Sequence, residues 1–358
     1  MAAVVRLPSF TPRERPLLRE TLWCLASGAV IQAETCGINC LSRTTFSAQG
    51  LLADGRRTVP SAGGTYPLHL YVLSAGGLPV DAGVWKYRPL DHSLEEVEGS
   101  GELFDGFLIS AEAQRTCRLY GDRGYRYVRL EVGHALQNLF LSLVSQGLPA
   151  SVDMIAPELS GSGETPCAKV TLRRDRGTMC RGFQLEPSIP LDRAILERRS
   201  VREYSRKSIE LEAVLRILKW SLGELTPGGR PYPRLQGGYR VEAVVIVSRV
   251  RGLERGVYAF DPRSMDLEPL KLGDYAGELC SLSMRQPCVC KAPATVVLGG
   301  EGLVSEIEAG LVAQNIYLNT VQEHLGTVAV GAFEDEGLSF LTGVERPLYL
   351  LPLGYPAR

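Results

Sequence analysis

Histidine and tryptophan are scarce in this 358-residue sequence, at four and three copies, and an excess of either charge is missing, the net being −1. Its 39 basic and 40 acidic residues are interspersed, so no large-scale field favours nucleic acid or an anionic membrane. No apolar run approaches the ~18 residues that a membrane-spanning helix needs. The opening MAAVVRLPSFTPRERP has no continuous apolar stretch and places proline and charge early, which argues against a secretion signal. A cytoplasmic location is the default expectation. Zinc-ligand spacing is also missing among the nine cysteines: Cys36 and Cys40 stand four apart and Cys288 and Cys290 two apart, with no second pair at finger distance. No metal site is expected, and most of the thiols read as buried and reduced. What remains is a globular composition, 45% hydrophobic and 22% charged, in a chain long enough for two domains of common size.

The sequence repeats itself. Leu18-Arg19 followed by Trp23 and Leu25 matches Leu215-Arg216 followed by Trp220 and Leu222, in two apolar-periodic helical stretches. The strand-like YVLS ending at Ser74 matches VIVS ending at Ser248, and GVWKYRP from Gly83 matches GVYAFDP from Gly256. The longest match pairs Glu131, Gly133, Gln137, Asn138 and Leu141 with Glu308, Gly310, Gln314, Asn315 and Leu318, all at one offset of 177 residues. Four matches in the same order imply a duplication, with one irregular large domain as the alternative. The copies join around residues 156–190, a stretch holding the Gly/Ser-rich PELSGSGETP, a strand-like AKVTLRR and the proline-bounded EPSIP. Each half reads helix, strand, strand, long helix, strand, which suggests an α+β layer fold with a mainly antiparallel sheet.

Two segments occur in one half only. Arg198-Arg199-Ser200-Val201-Arg202 puts three guanidiniums and a hydroxyl within five residues, a set suited to gripping phosphate oxygens, although an exposed basic turn would look the same. Pro60-Ser61-Ala62-Gly63-Gly64-Thr65-Tyr66-Pro67 combines two glycines that permit positive φ or close approach to a planar ligand with prolines that stiffen the loop; a plain tight turn is the other reading. The repeated amides Gln137, Asn138, Gln314 and Asn315 fit buried helix-to-sheet ties, His134 (Leu311 in the other copy) a packing role, and Trp85, Tyr87, Tyr258 and Phe260 strand core.

With these segments the chain resembles the nitroreductase superfamily of flavoproteins, through RRSVREY. PSAGGTYPLHLYVLS, GVWKYRP, YGDRGYRYVRLEVGHALQNLFL and GVYAFDP are similar, more narrowly, to SagB-type dehydrogenases, which oxidise azolines to azoles in ribosomally made peptides. The resemblance covers most of both halves. It implies an α+β fold of two tandem nitroreductase-like α/β sandwich modules forming an internal pseudo-dimer, residues 1–185 and 186–358, with FMN at the interface. The first module has the PSAGG loop but no RRSxR, opening instead on LPSFTPRERP; the second has RRSVR but reads PYPRLQGG where the loop should be. One composite flavin site is therefore expected, the other being degenerate.

On this resemblance Arg198, Arg199, Ser200 and Arg202 would hold the phosphate. The backbone of Gly331 and Ala332 would meet the flavin N5 and O4 edge, and Pro60, Ser61, Ala62, Gly63 and Gly64 would cover the ring. In the first half Asp153 and Met154 stand where that glycine-containing pair would be, and Arg358 is a further candidate phosphate contact. Tyr120, Arg123 and Tyr125 are candidates for substrate contact or proton transfer, with aromatic packing as the alternative. The lysine that SagB-type enzymes place before this tyrosine is Leu119 here, and the adjacent Arg118 stays protonated and cannot serve as a base. The function expected is an FMN-dependent oxidoreductase acting on a small conjugated molecule or an azoline-bearing peptide. The alternative is a catalytically degenerate scaffold in a peptide-modifying assembly. No nucleic acid or membrane partner is expected, and oligomerisation beyond the internal pseudo-dimer stays open.

Overall fold

The computed structural model describes residues 2–31, 36–99, 103–155, 159, 163–173, 177–180 and 186–357. Its ten helices among these residues are α1 (Leu18–Ala26), α2 (Ile38–Gln49), α3 (Gln114–Tyr120), α4 (Arg123–Ser145), α5 (Leu191–Glu197), α6 (Leu211–Leu222), α7 (Ala276–Leu282), α8 (Pro287–Cys290), α9 (Gly302–Gln322) and α10 (Asp335–Thr342).

Two antiparallel sheets repeat one topology, giving the α+β architecture expected. The first orders its strands Val4–Arg6, Ser93–Val97, Gly83–Arg88, Leu68–Ser74, Gly106–Ala111, Thr165–Leu172, Ala150–Met154. The second runs Asp266–Leu272, Gly256–Asp261, Glu242–Val247, Ala294–Gly299, Pro347–Gly354, Gly326–Thr327, the same order without the extra edge strand. Side-chain period 2 explains how the layers close. In Glu242–Val247, Ala243, Val245 and Val247 join the central core, whereas Val244 and Ile246 pack under Leu279, Val289, Leu338 and Leu341 of α7, α8 and α10. From Ala243 to Val247 this strand is apolar at every position because both of its faces are covered. In Leu68–Ser74, by contrast, Leu68, Leu70 and Val72 are core while His69 and Tyr71 stay half-buried, so that strand alternates.

The long helices α4 and α9 cross at the centre. A Cβ on Gly133 would lie 2.0 Å from the Ile307 carbonyl oxygen, and one on Gly310 2.1 Å from that of Leu130, so the two backbones meet at paired glycines. Beside the crossing Gln137 donates to Asn315 (2.7 Å) and Gln314 to Asn138 (2.8 Å), and His134 Nδ1 bonds Gln314 (2.8 Å). The repeated amides thus tie one copy to the other rather than helix to sheet, and Gln137, Asn138 and Asn315 also reach backbone carbonyls, as Asn138 does at Ser47 (2.9 Å).

Several expectations change. α2 lies along α4 as α6 lies along α9, so α2, not α1, stands in the place of α6, and α1 answers to α5. The match of Leu18–Leu25 with Leu215–Leu222 is similarity of apolar spacing, not of position. The strand-like AKVTLRR belongs inside the first sheet, in Thr165–Leu172, so the joint starts later than residue 156. The boundary at 185/186 adjoins residues 181–185, which lie outside the described residues, as does Arg358. Four of the nine cysteines form disulfides, Cys24 with Cys180 and Cys280 with Cys290, while Cys36, Cys40, Cys117, Cys167 and Cys288 stay thiols. Among the described residues no His/Cys/Asp/Glu group could hold a metal ion, and no helix is long and apolar enough to cross a membrane.

Candidate functional site

A cavity of about 500 Å³ opens on the seam between the halves. The first half contributes Pro60, Ser61, Ala62 and Gly63 from the loop before Leu68–Ser74, Tyr120 from the end of α3, and Tyr127 and Glu131 from α4. The second contributes Ser200 and Arg202, Tyr317 of α9, the segment Val328–Ala332, Tyr349, and Gln286–Cys288 at the start of α8. Both one-copy motifs therefore reach the same space.

The loop holds its shape through residues with positive φ: Gly63 at 60°, Gly64 at 65° and Tyr66 at 45°. Glycine suits the first two because a Cβ there is strained, and one on Gly63 would also press to 2.9 Å from the Tyr120 hydroxyl. The Ser61 hydroxyl accepts from the Tyr66 amide (2.9 Å), pinning the bend. Gly64 is exposed and does not line the cavity.

The arginine cluster divides. Arg198, 2% exposed, donates to the carbonyls of Thr58 (3.0 Å) and Arg57 (3.2 Å) in the other half, and its guanidinium lies 5.2 Å from the Tyr317 ring centre. Its Nη1 has no hydrogen-bond partner, and burial lowers its pKa. Arg199 is exposed and outside the lining; Ser200 and Arg202 line the cavity. Ser200 and Tyr317 share a hydrogen bond (3.0 Å), and the Ala329 amide donates to the Tyr317 hydroxyl (2.8 Å), which locks the turn to the Val328–Ala332 segment.

Gly331 and Ala332 lie on the wall with their carbonyls occupied: Arg123 reaches the first (3.4 Å) and Gln286 the second (2.7 Å). Arg123 also pairs with Asp335, as does Arg126 (2.8 Å), clamping the start of α4 onto the other half. Of the three candidate catalytic residues, only Tyr120 lines the cavity, with its ring edge-on to Tyr127 at 5.1 Å. Arg123 stands behind the wall as a clamp, and the Tyr125 hydroxyl accepts from Gln114 (3.2 Å). Leu119 is 63% exposed beside the loop.

Motif reading missed Glu131, Tyr127, Tyr317, Tyr349, Gln286 and Cys288. One signal was available: Tyr317 stands 177 residues after Phe140, so the hydroxyl exists in one copy only. Glu131 is 3% exposed and its Oε1 has no hydrogen-bond partner. Burial pushes its pKa up to about 8 against the weaker pull of Ser61 and Arg57. His134 is driven down to about 3 by burial and is neutral. Burial also raises Tyr349 well above the ordinary range.

The equivalent place in the other seam holds a second pocket of about 360 Å³, lined by Ala29 and Val30, Phe140, Ala150–Val152, and Tyr232 and Pro233. Here Ser27-Gly28-Ala29-Val30, with no arginine, follow α1 where Arg198-Arg199-Ser200 follow α5. Asp153 is an exposed strand residue and Met154 is core, and neither lines this pocket. Glu308, the counterpart of Glu131, accepts from the Tyr232 hydroxyl (3.1 Å), the Arg240 amide (2.9 Å) and the Val241 amide (3.2 Å).

Comparison with known proteins agrees with this geometry. The model of the Nitroreductase family matches residues 195–355. A protein of Methanocaldococcus jannaschii, provisionally named a nitroreductase, is 42% identical over 125 residues, 30% of this chain and 63% of that protein. A solved structure from Anabaena variabilis, also provisionally a nitroreductase, superposes over 100% of this chain and 92% of its own at a TM-score of 0.78, with 19% identity. A shorter one from Ralstonia eutropha, 23% identical, covers 50% of this chain and 90% of its own at a TM-score of 0.39. The chain spans 63% of the length of the curated relative it matches. The second half thus has the sequence pattern of the nitroreductase family, and the whole chain has the nitroreductase-like mixed α/β fold.

Proposed function

We propose that the protein is an FMN-dependent oxidoreductase with two tandem modules, residues 1–185 and 186–358, and one composite flavin site per chain. The observation that supports this most is the single cavity into which both one-copy motifs project, Pro60–Gly63 from one half and Ser200 and Arg202 from the other. The fit to a flavin is good on three counts. The volume lies within the ~300–1,000 Å³ of cofactor sites, one lining residue, Glu131, has a buried oxygen without a partner, and the glycine bend brings bare backbone to the wall.

When bound, the flavin supplies the hydride chemistry. The chain's own residues bind and orient. Ser200 and Arg202 offer phosphate a hydroxyl and a guanidinium, with Arg199 approaching from solvent and Arg198 holding the turn from behind. Arg123 on the Gly331 carbonyl fixes the peptide plane that carries the Ala332 amide, and Gln286 on the Ala332 carbonyl holds the next one, so the Gly331–Ala332 backbone is set for the ring edge. Pro60, Ser61, Ala62 and Gly63 exclude water from one face, with Gly64 outside, and Tyr120 stands at the mouth for substrate. Arg123 and Tyr125 act by holding rather than by proton transfer. The substrate class is a small conjugated molecule or an azoline-bearing peptide. Leu119, exposed where a base would be needed, favours the former and supports a second reading, a catalytically silent partner in a peptide-modifying assembly.

The test is direct. Purified protein should be yellow, or turn so on adding FMN, and release one FMN per chain on denaturation. Two per chain would reject the composite site, and none after reconstitution would reject the flavin and leave the scaffold.

A further inference from the structure

Glu131 and Glu308 occupy the same place in the repeat and meet different fates. Glu308 is saturated by a hydroxyl and two backbone amides. In the first half the loop is differently built: the Tyr66 amide stops at Ser61 Oγ, and Ser61 is the polar neighbour that, with Arg57, pulls on Glu131 against burial. Oε1 of Glu131 is left buried and without a partner, in a residue that lines the cavity. A buried polar atom left in this condition is costly unless a ligand completes it.

We infer that Glu131 is the cavity's buried hydrogen-bond donor, a neutral carboxyl whose O–H meets an acceptor atom of the ligand. The surroundings favour the neutral form. Burial raises Tyr127 on α4 and Tyr349 on Pro347–Gly354 and lowers His134 on α4, which keeps all three neutral; Tyr317 on α9 and Ser61 bring hydroxyls, and Arg57 is the cation that opposes it. Arg202 and Glu203, the other charged residues of the lining, are exposed. The carboxyl of Glu131 accordingly titrates at about 8. Ionisation removes the donor and sets a negative charge against the ligand's acceptor, so affinity falls as pH rises through that value. On the flavin reading, on which this identification of the ligand rests, the acceptor belongs to the nitrogen- and carbonyl-rich edge of the isoalloxazine.

The experiment pairs two readouts. Difference infrared spectra of flavin-free protein against E131Q should show the C=O stretch of a protonated carboxyl at pH 7 that is lost by pH 9.5. FMN titration by fluorescence quenching should then show wild-type affinity falling about tenfold per pH unit above the transition. E131Q, whose amide still donates, should bind with a flat profile, and E131M should bind about tenfold more weakly at pH 7. Absence of the infrared band, or one pH slope shared by wild type and E131Q, overturns the inference while leaving flavin binding in place. A normal band in a protein that binds no FMN at any pH instead overturns the flavin reading.

Discussion

Where the seam at Glu131 keeps a Tyr317 hydroxyl, a serine turn and an open wall, the seam at Glu308 has Phe140, the apolar pair Ala29 and Val30, and Tyr232 folded onto the carboxylate. Backbone plan and helix crossing are shared, so the difference lies in a handful of side chains and in one loop. The difference takes no new fold: a tyrosine and two amides satisfy Glu308, whereas Oε1 of Glu131 lacks a partner. Raised carboxyl pKa values in both seams have one cause, burial, and only the partners differ.

The comparison can be broken at its base. Gly310→Leu drives a side chain into the Leu130 carbonyl and should abolish both seams together, destabilising by ~3 kcal/mol or more in thermal unfolding. Next in size, Ser200→Ala with Arg202→Ala should weaken FMN binding by about 10–100-fold in equilibrium titration, as expected for losing charge-assisted hydrogen bonds. Ala29→Ser with Val30→Arg in the closed seam should add no second flavin.

The paired carboxylates respond in opposite senses. Glu308→Gln removes an acceptor serving three donors and should cost ~1–3 kcal/mol at pH 7 by denaturant unfolding. Glu131 has a folded pKa raised to about 8 from 4.5, so wild-type stability is complete below the lower value and declines as pH climbs to the higher. Glu131→Gln removes that decline: its Tm should match wild type at pH 4.5 and exceed it at pH 8.5. The smallest effect belongs to Tyr317→Phe, which makes the open seam imitate Phe140. Losing the bond from the Ala329 amide should cost ~1 kcal/mol.

Much of the architecture was legible because helices α4 and α9 repeat five residues at one offset, and those residues sit on the crossing where substitution is least tolerated. The strands Ser93–Val97 and Gly106–Ala111 escaped notice, the first being short and part charged. The short helices misled, since apolar spacing fixes that α1 and α6 are amphipathic but not which helix lies along which. Cys24 and Cys180 are 156 residues apart, and no spacing rule foresees their meeting. In the cavity the residues of unusual type, paired glycines and clustered arginines, were visible, although Arg198 proved to hold the seam rather than line the space. Glu131 was not, because both copies have glutamate there, and only the tertiary surroundings tell a satisfied carboxylate from an open one.

The glycine crossing has a consequence for how such a chain can vary. Away from the axis each copy has its own codon for each position, so one lobe can be edited while the other stands still. At the axis Gly133 touches Gly310, its own twin, and bulk on either is felt by both. A duplicated ancestor is thus free to become lopsided everywhere except along the line where it still meets itself.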